Sequence, residues 1–264
     1  MTGTVLVRGI GDVGSAVAHA LFRSGHRVIV HDGPAPTTHR RGMAFADAMF
    51  DGTATLAGVN ARRIDSVGEL SWELSAGRLV PVTALPFEEI LIANGWDLVV
   101  DARMRKRVEP EDQRGFAPLV IGLGPNFVAG SHGNVHVAVE TSWDRLGAVI
   151  WDGPTLPLAG EPRPIAGVGR ERCVYSPREG TFRTNRGIGD LVRAADPIAW
   201  IGDMGLVAPI GGMIRGLTRN GVSVPQGAKV IEVDPRAASA SVRTLGERPR
   251  VIAEAVASIV ADSG

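Results

Sequence analysis

The sequence predicts an α/β fold: a parallel-sheet domain first, a small all-β domain after it, and a helix at the end. Three observations predict it. Residues 4–32 run as apolar segment, glycine turn, small-residue helix and second apolar segment, closing on an acid. Residues 174–202 and 206–234 repeat one pattern at an offset of 32. Residues 249–262 carry apolar side chains at helical spacing. The expected boundaries are 1–167 for the first domain, 168–238 for the β domain with its repeat, and 239–264 for the final helix. The apolar face of that helix must be buried on the first domain or on a partner.

In the first segment, Val5-Leu6-Val7 leads into Gly9-Ile10-Gly11-Asp12-Val13-Gly14, and Val28-Ile29-Val30 ends at His31-Asp32. Strand, glycine turn, helix, strand and acid come in the order of a Rossmann-like dinucleotide-binding unit. Gly9 permits the tight turn, Gly11 leaves the backbone bare for a phosphate, and Gly14 lets the helix approach the sheet. The helix N-terminus offers free N–H groups to an anion. Asp32 stands where a carboxylate accepts from ribose hydroxyls. Asp12 works against a phosphate by charge, and a unit of this shape with a vestigial site is the competing reading.

Composition narrows the classes. The chain has 264 residues, 44% of them hydrophobic, enough for a core. Its 28 basic and 28 acidic residues balance, which argues against nucleic acid and anionic membrane as partners. The single cysteine, Cys173, excludes an internal disulfide and a cysteine-only metal cage. No signal-like segment opens the sequence and no apolar run is long enough to span a bilayer, so the expected location is the cytoplasm.

Along the chain, the loop 33–41 leaves the end of the second strand, where ligands of open α/β sheets sit, and carries Arg40 and Arg41, suited to bidentate anion binding or to a solvated pair. Residues 43–50 read as helical and 53–64 as short β structure around Gly58. Ser66 and Glu69 form a capping box for a helix over 66–75. Leu79-Val80-Pro81-Val82 reads as an edge strand because of its proline. A helix over 86–94 precedes a buried strand, Leu98-Val99-Val100-Asp101, which delivers Asp101 and Arg103 to the ligand edge as candidate anion holders. Arg105, Lys106 and Arg107 read as a solvated run.

The next strand, Leu119-Val120-Ile121, opens into a second glycine turn, where Gly122, Gly124 and Asn126 are candidate substrate contacts; a plain tight turn with a proline is the favoured reading from the residues alone. His132 and His136 are four apart, but the residues between them are not helical, and no metal site is expected. Glu140 and Thr141 end a strand over 135–139 and face the same edge as further candidates. A short strand over 146–151 precedes a Gly/Pro-rich linker, 152–167.

In the repeat, Pro177, Gly180, Phe182, Gly189, Val192 and Ile198 match Pro209, Gly212, Ile214, Gly221, Val224 and Val230. Two copies of short strands with glycine turns imply a small closed β structure with internal two-fold symmetry. The pattern resembles the biotinyl/lipoyl barrel-sandwich family. That family carries its modified lysine between the two halves, where this chain has Gly202-Asp203-Met204-Gly205; Lys229 stands elsewhere. Neither biotin nor lipoate is expected, and the domain reads as a packing or docking module.

Over nearly its whole length the chain also resembles the accessory proteins of selenium-dependent molybdenum hydroxylases, distant relatives of the xanthine dehydrogenase accessory proteins. The stretches that carry this are Arg8-Gly9-Ile10-Gly11-Asp12, Pro36 to Arg41 with Phe45-Ala46, Val100-Asp101-Ala102-Arg103, Val120 to Pro125, Val139-Glu140-Thr141 and Val233-Asp234-Pro235-Arg236. The sequence departs from that pattern at Ser142-Trp143-Asp144-Arg145 and at Val251-Ile252-Ala253-Glu254. The resemblance implies maturation of a molybdenum hydroxylase apo-enzyme, and it accounts for Asp12 in the turn. The cofactor would be a molybdopterin-type group or a dinucleotide such as NAD. Gly9, Gly11, Asp12, Gly14, Asp32, Arg40 and Arg41 would hold it, with Asp101, Arg103, Gly122, Gly124, Asn126, Glu140 and Thr141 toward substrate. Sulfur delivery would need a reactive cysteine; Cys173, near Arg170 and Arg172, is the sole candidate, and a buried strand residue is the plainer reading.

Two other functions are weighed. One is an NAD-dependent oxidoreductase acting on a small anionic substrate, which Asp32 would suit, although Tyr175 is the only tyrosine and no Tyr-x-x-x-Lys pair exists. The other is a non-catalytic scaffold, docking through the β domain and last helix. A small nucleotide-like ligand and self-association complete the expected partners. No residue pattern designates a catalytic group, and whether the protein is an enzyme is left open.

Overall fold

The computed structural model describes residues 2–105, 108–157 and 162–262. Lys106, Arg107 and part of the Gly/Pro-rich linker lie outside the described residues. The chain divides into two compact units that share the sequence in alternation. Unit 1 comprises Met1–Pro34, Ala44–Ala159 and Leu245–Gly264; unit 2 comprises Ala35–Met43 and Gly160–Thr244.

Unit 1 contains β1 (Thr4–Arg8), α1 (Asp12–Arg23), β2 (Arg27–His31), α2 (Ala48–Asp51), β3 (Thr53–Leu56), β4 (Val59–Arg63), α3 (Val67–Ala76), β5 (Val80–Thr83), α4 (Phe87–Ala93), β6 (Leu98–Asp101), β7 (Leu119–Leu123), β8 (Val128–Ala129), β9 (Val137–Val139), β10 (Val149–Ile150) and β11 (Gly153–Pro154). Nine of these strands form one sheet in the order β10-β9-β7-β6-β1-β2-β5-β4-β3. β8 and β11 pair separately. The central strands are parallel and alternate their side chains between two apolar layers. Val5, Val7, Val28, Val30, Val100 and Ile121 face one layer, which includes Val13, Val17 and Leu21 of α1. Leu6, Ile29, Val99 and Val120 face the other, with Leu70 and Leu74 of α3, Ile90 of α4 and Trp96. Ser66 Oγ accepts from Glu69 N–H at 3.2 Å and caps α3.

Unit 2 contains β12 (Cys173–Tyr175), β13 (Gly180–Thr184), β14 (Leu191–Val192), β15 (Pro197–Ile201), β16 (Met204–Val207), β17 (Gly212–Leu217), β18 (Ser223–Val224) and β19 (Lys229–Asp234). They form two four-stranded antiparallel sheets, β12-β19-β17-β14 and β16-β15-β13-β18. Shifting β12, β13, β14 and β15 by one repeat gives β16, β17, β18 and β19, so each sheet is the other with the copies exchanged. Segment 35–43 is tied in by the Leu217 N–H, which donates to the His39 carbonyl at 2.7 Å. Cys173 is buried at the start of β12.

The expected fold needs correcting. The large sheet is mixed, not the parallel sheet of a Rossmann-like domain. Gly58, with φ +80°, turns β4 back on β3 as an antiparallel pair at one edge, and β10 turns back on β9 at the other. The β region is not a closed lipoyl-type barrel: among the described residues its two sheets are open, with β12 and β14 at the edges of one and β16 and β18 at the edges of the other. β5 is not an edge strand either, since it pairs with β2 on one side and β4 on the other despite Pro81. The last helix, α5 (Glu247–Asp262), packs against α1, with Ile252, Ala253, Val256 and Ile259 buried. No helix among the described residues is long and apolar enough to cross a membrane.

Candidate functional site

The parallel register of unit 1 brings several polar residues to one rung at the carboxyl ends of the strands. Thr83 of β5, His31 of β2, Arg8 of β1, Asp101 of β6 and Gly122 of β7 are register partners in succession. Each lies two residues beyond a residue of the same strand, and those of β2, β1, β6 and β7 follow Ile29, Leu6, Val99 and Val120, so the rung faces the α3–α4 layer. The glycine turn and α1 belong to the opposite face.

On the α1 side, Gly9 has φ +109°, and a Cβ there would lie 2.7 Å from the Ala102 carbonyl oxygen. A Cβ on Gly14 would meet the Gly9 carbonyl oxygen more closely still. Gly11 is different: a Cβ there would meet nothing within 4 Å, and as the N-cap residue of α1 it makes no side-chain cap bond. Ile10 N–H donates to Asp32 Oδ2 at 2.8 Å, and Gly33 N–H donates to Asp32 Oδ1 at 2.7 Å. Asp12 Oδ1 accepts from Val13 N–H at 3.1 Å. Ser15 Oγ donates to the Ile10 carbonyl and accepts from Phe45 N–H, fixing the turn to the helix.

On the rung side, Arg8 is 6% exposed and lies 3.7 Å from the centre of the Phe87 ring. His31 Nε2 is 3.0 Å from the Leu85 carbonyl oxygen, and its ring lies against Phe87. Arg8 Nη1 donates to Gln113 Oε1 at 2.7 Å and to Glu111 Oε1 at 2.8 Å. Arg103 Nε donates to Asp101 Oδ1 at 3.0 Å, and its Nη2 to Asp101 Oδ2 at 2.5 Å and to Glu111 Oε1 at 2.8 Å. Arg105 Nη2 donates to Glu111 Oε2 at 2.7 Å. Gln113 Nε2 completes the set on Asp101 Oδ2 at 2.7 Å.

These contacts set the charge states. Burial alone would raise the Asp101 carboxyl; the hydrogen bonds from Arg103 and Gln113 outweigh it and hold it below the usual carboxylate range. Glu111 follows the same balance through Arg105, Arg103 and Arg8 and lies far below that range. Desolvation, with the Arg103 charge adding to it, lowers Arg8 from its ordinary value.

The other residues singled out from the sequence have separate engagements. Arg40 and Arg41 belong to unit 2: Arg40 Nε and Nη2 grip Glu232 at 2.8 and 2.9 Å, and Arg41 Nε donates to the Leu217 carbonyl at 3.0 Å. Gly122 is covered by the Phe127 ring. Asn126, at φ 75°, donates to the Arg105 and Val108 carbonyls. Glu140 accepts from Thr141, Ser142 and Leu156 N–H groups, and a Cβ on Gly124 would lie 3.1 Å from Thr141 Oγ1. The Thr141 carbonyl accepts from Arg248 Nε at 2.8 Å. Among the described residues no group of three His, Cys, Asp or Glu side chains is placed to hold a metal ion. Arg8 entered the sequence reading only in the stretch Arg8–Asp12 that carried the family resemblance, and Glu111 and Gln113 had no role in it. A charged residue ending an otherwise apolar strand was the available signal for Arg8.

No family model matches the chain. It is 37% identical over 249 residues to "Uncharacterized protein YqeB" of Escherichia coli K12, covering 94% of this chain and 45% of that protein. The chain thus spans less than half the length of that relative. Among solved structures, it is similar to the product-bound ectoine utilization protein EutE (DoeB) from Ruegeria pomeroyi, at 11% identity and TM-score 0.25, over 88% of this chain and 85% of that one. It is also similar to a succinylglutamate desuccinylase/aspartoacylase from Rhodobacter sphaeroides, at 16% identity and TM-score 0.27, with the same coverage. Likenesses at this level say nothing of this chain's chemistry. They do not point to a molybdenum hydroxylase accessory protein, and neither does the YqeB relative. The accessory-family reading and its maturation function are corrected accordingly, and the oxidoreductase and scaffold readings are withdrawn with them.

Proposed function

We propose that unit 1 is a binding domain for a small phosphate-bearing molecule, held at the turn between β1 and α1. The observation that supports this is the contrast among three glycines. Gly9 and Gly14 are required by close backbone approach, whereas Gly11 has open space around it and no packing reason to lack a side chain. That space lies at the N-terminus of α1, whose N-cap residue makes no side-chain cap bond and where backbone N–H groups and the helix dipole favour an anion. Asp32 braces the turn through Ile10 and Gly33, and a carboxylate accepting two hydrogen bonds keeps lone pairs for a sugar hydroxyl. The small nucleotide-like ligand expected from the sequence is one member of this class.

Calorimetric titration with pyrophosphate and ribose 5-phosphate tests the reading. The expected result is binding to the native chain and loss of binding in Gly11→Val, with a native circular dichroism spectrum because a Cβ added at Gly11 meets nothing within 4 Å. Equal binding by both proteins, or by neither, removes the glycine turn as the site.

A further inference from the structure

We infer a second anion site in unit 1, formed by Arg8, Arg103 and Arg105, whose ligand is a small carboxylate and whose present occupant is Glu111. It does not rest on the glycine turn, because the two lie on opposite faces of the sheet.

The occupant shows what the site accepts. One Glu111 oxygen takes Nη1 of Arg8 and Nη2 of Arg103 at 2.8 Å each, and the other takes Nη2 of Arg105 at 2.7 Å. Three guanidiniums, one from the end of β1 and two from the segment after β6, thus converge on a single carboxylate. Among the described residues, Asp101 and Glu111 are the carboxylates bonded to these three arginines, so the five side chains carry one surplus positive charge, and the remaining four carry two when Glu111 leaves.

The members differ in how firmly they are held. Asp101 is 1% exposed, at the end of a central strand, bonded to both Arg103 and Gln113. Arg8 is clamped between the sheet and Phe87, yet its Nε is buried without a hydrogen-bond partner. A buried donor left in this state marks a place where an acceptor is missing. The Glu111 side chain, by contrast, is 41% exposed and belongs to an irregular stretch between β6 and β7. A rigid cationic floor under a half-exposed tethered carboxylate is the arrangement of a counter-ion that a ligand displaces. Asp101 is the fixed part of the site and Glu111 the exchangeable part.

Displacement makes Glu111 a competitor. If it fills the site about nine-tenths of the time, removing it tightens carboxylate binding about tenfold. The test uses the full chain in carboxylate-free buffer, with succinate as the probe and inorganic phosphate as the second arm, read by calorimetry and by thermal shift. Glu111→Ala and the shape-preserving Glu111→Gln should each bind succinate about tenfold more tightly than the native chain, and succinate should raise their melting temperatures more than the native one. Adding Arg105→Ala to Glu111→Ala should abolish the gain. Adding Gly11→Val should leave it intact, which separates this site from the phosphate site. Succinate affinities in both Glu111 variants equal to the native value would show Glu111 to be an ordinary ion-pair partner and overturn the inference. Phosphate binding to the Glu111→Ala, Gly11→Val double variant as strong as its succinate binding would overturn the assignment to carboxylates.

Discussion

Glu232 in unit 2 is a buried carboxylate with three basic side chains around it. It is fully buried in β19, gripped by Arg40 through two bonds and by Arg172 Nε at 3.2 Å, with His39 Nε2 3.5 Å away. Burial alone would raise its pKa; the Arg40 charge and the His39 and Arg40 hydrogen bonds outweigh that and hold it far below its ordinary 4.5. The sign follows. A carboxylate depressed in the folded state contributes stability that is complete above pH 4.5 and is lost as pH falls through the folded value. Urea unfolding should therefore show a decline below about pH 5 from these carboxylates, with Asp101 and Glu111 acting in the same direction, added to an earlier decline below pH 7 from His26, His31, His39 and His136, whose folded values burial lowers. Glu232→Ala, which removes the carboxylate from buried Arg172 and half-buried Arg40, should cost about 3–5 kcal/mol at pH 7 in the same assay. At this scale the sequence reveals local sets and hides distant ones. The turn glycines and Asp32 fall within one βαβ segment and were legible. Arg40 looked like a ligand-binding residue because its partner is 192 positions away.

Elements were readable where a local signal agreed with the tertiary environment. The capping box placed α3, and the apolar spacing placed α5 and its buried Ile252, Val256 and Ile259. β5 was misjudged because proline statistics describe strands in general, while this strand has a hairpin added beyond it that makes it interior. The α5 prediction is quantitative. Ile252 is completely buried against the α1 layer, so Ile252→Ala should destabilise the protein by about 2–5 kcal/mol, measured by denaturant unfolding. A change of less than ~1 kcal/mol would mean that α5 contributes little to the core.

For the molecule as a whole, the repeat was legible as a 32-residue offset, but the use of the copies was not. Each copy supplies strands to both sheets, and only three-dimensional pairing reveals that. The mixed character of the large sheet was hidden for a similar reason, since β3 and β10 carry too few residues to declare their direction. The sheet order predicts a gradient of protection. Amides of β1, β2, β6 and β7, paired on both sides, should exchange with solvent orders of magnitude more slowly than those of β3 and β10 at the edges, as hydrogen-exchange mass spectrometry reads directly. Uniform protection across the sheet would contradict it.

The packing of α5 on α1 also has a consequence for biosynthesis. A ribosome releases α1 among the first elements of this chain and α5 only after every strand of both units. Throughout that interval the side of α1 that α5 will cover is bare, and nascent chains with such apolar surface depend on chaperones or on speed to avoid sticking to one another. Codon usage and growth temperature, which set the length of that interval, should therefore influence the yield of folded protein more strongly than they would in a fold whose neighbouring helices are also neighbours in translation.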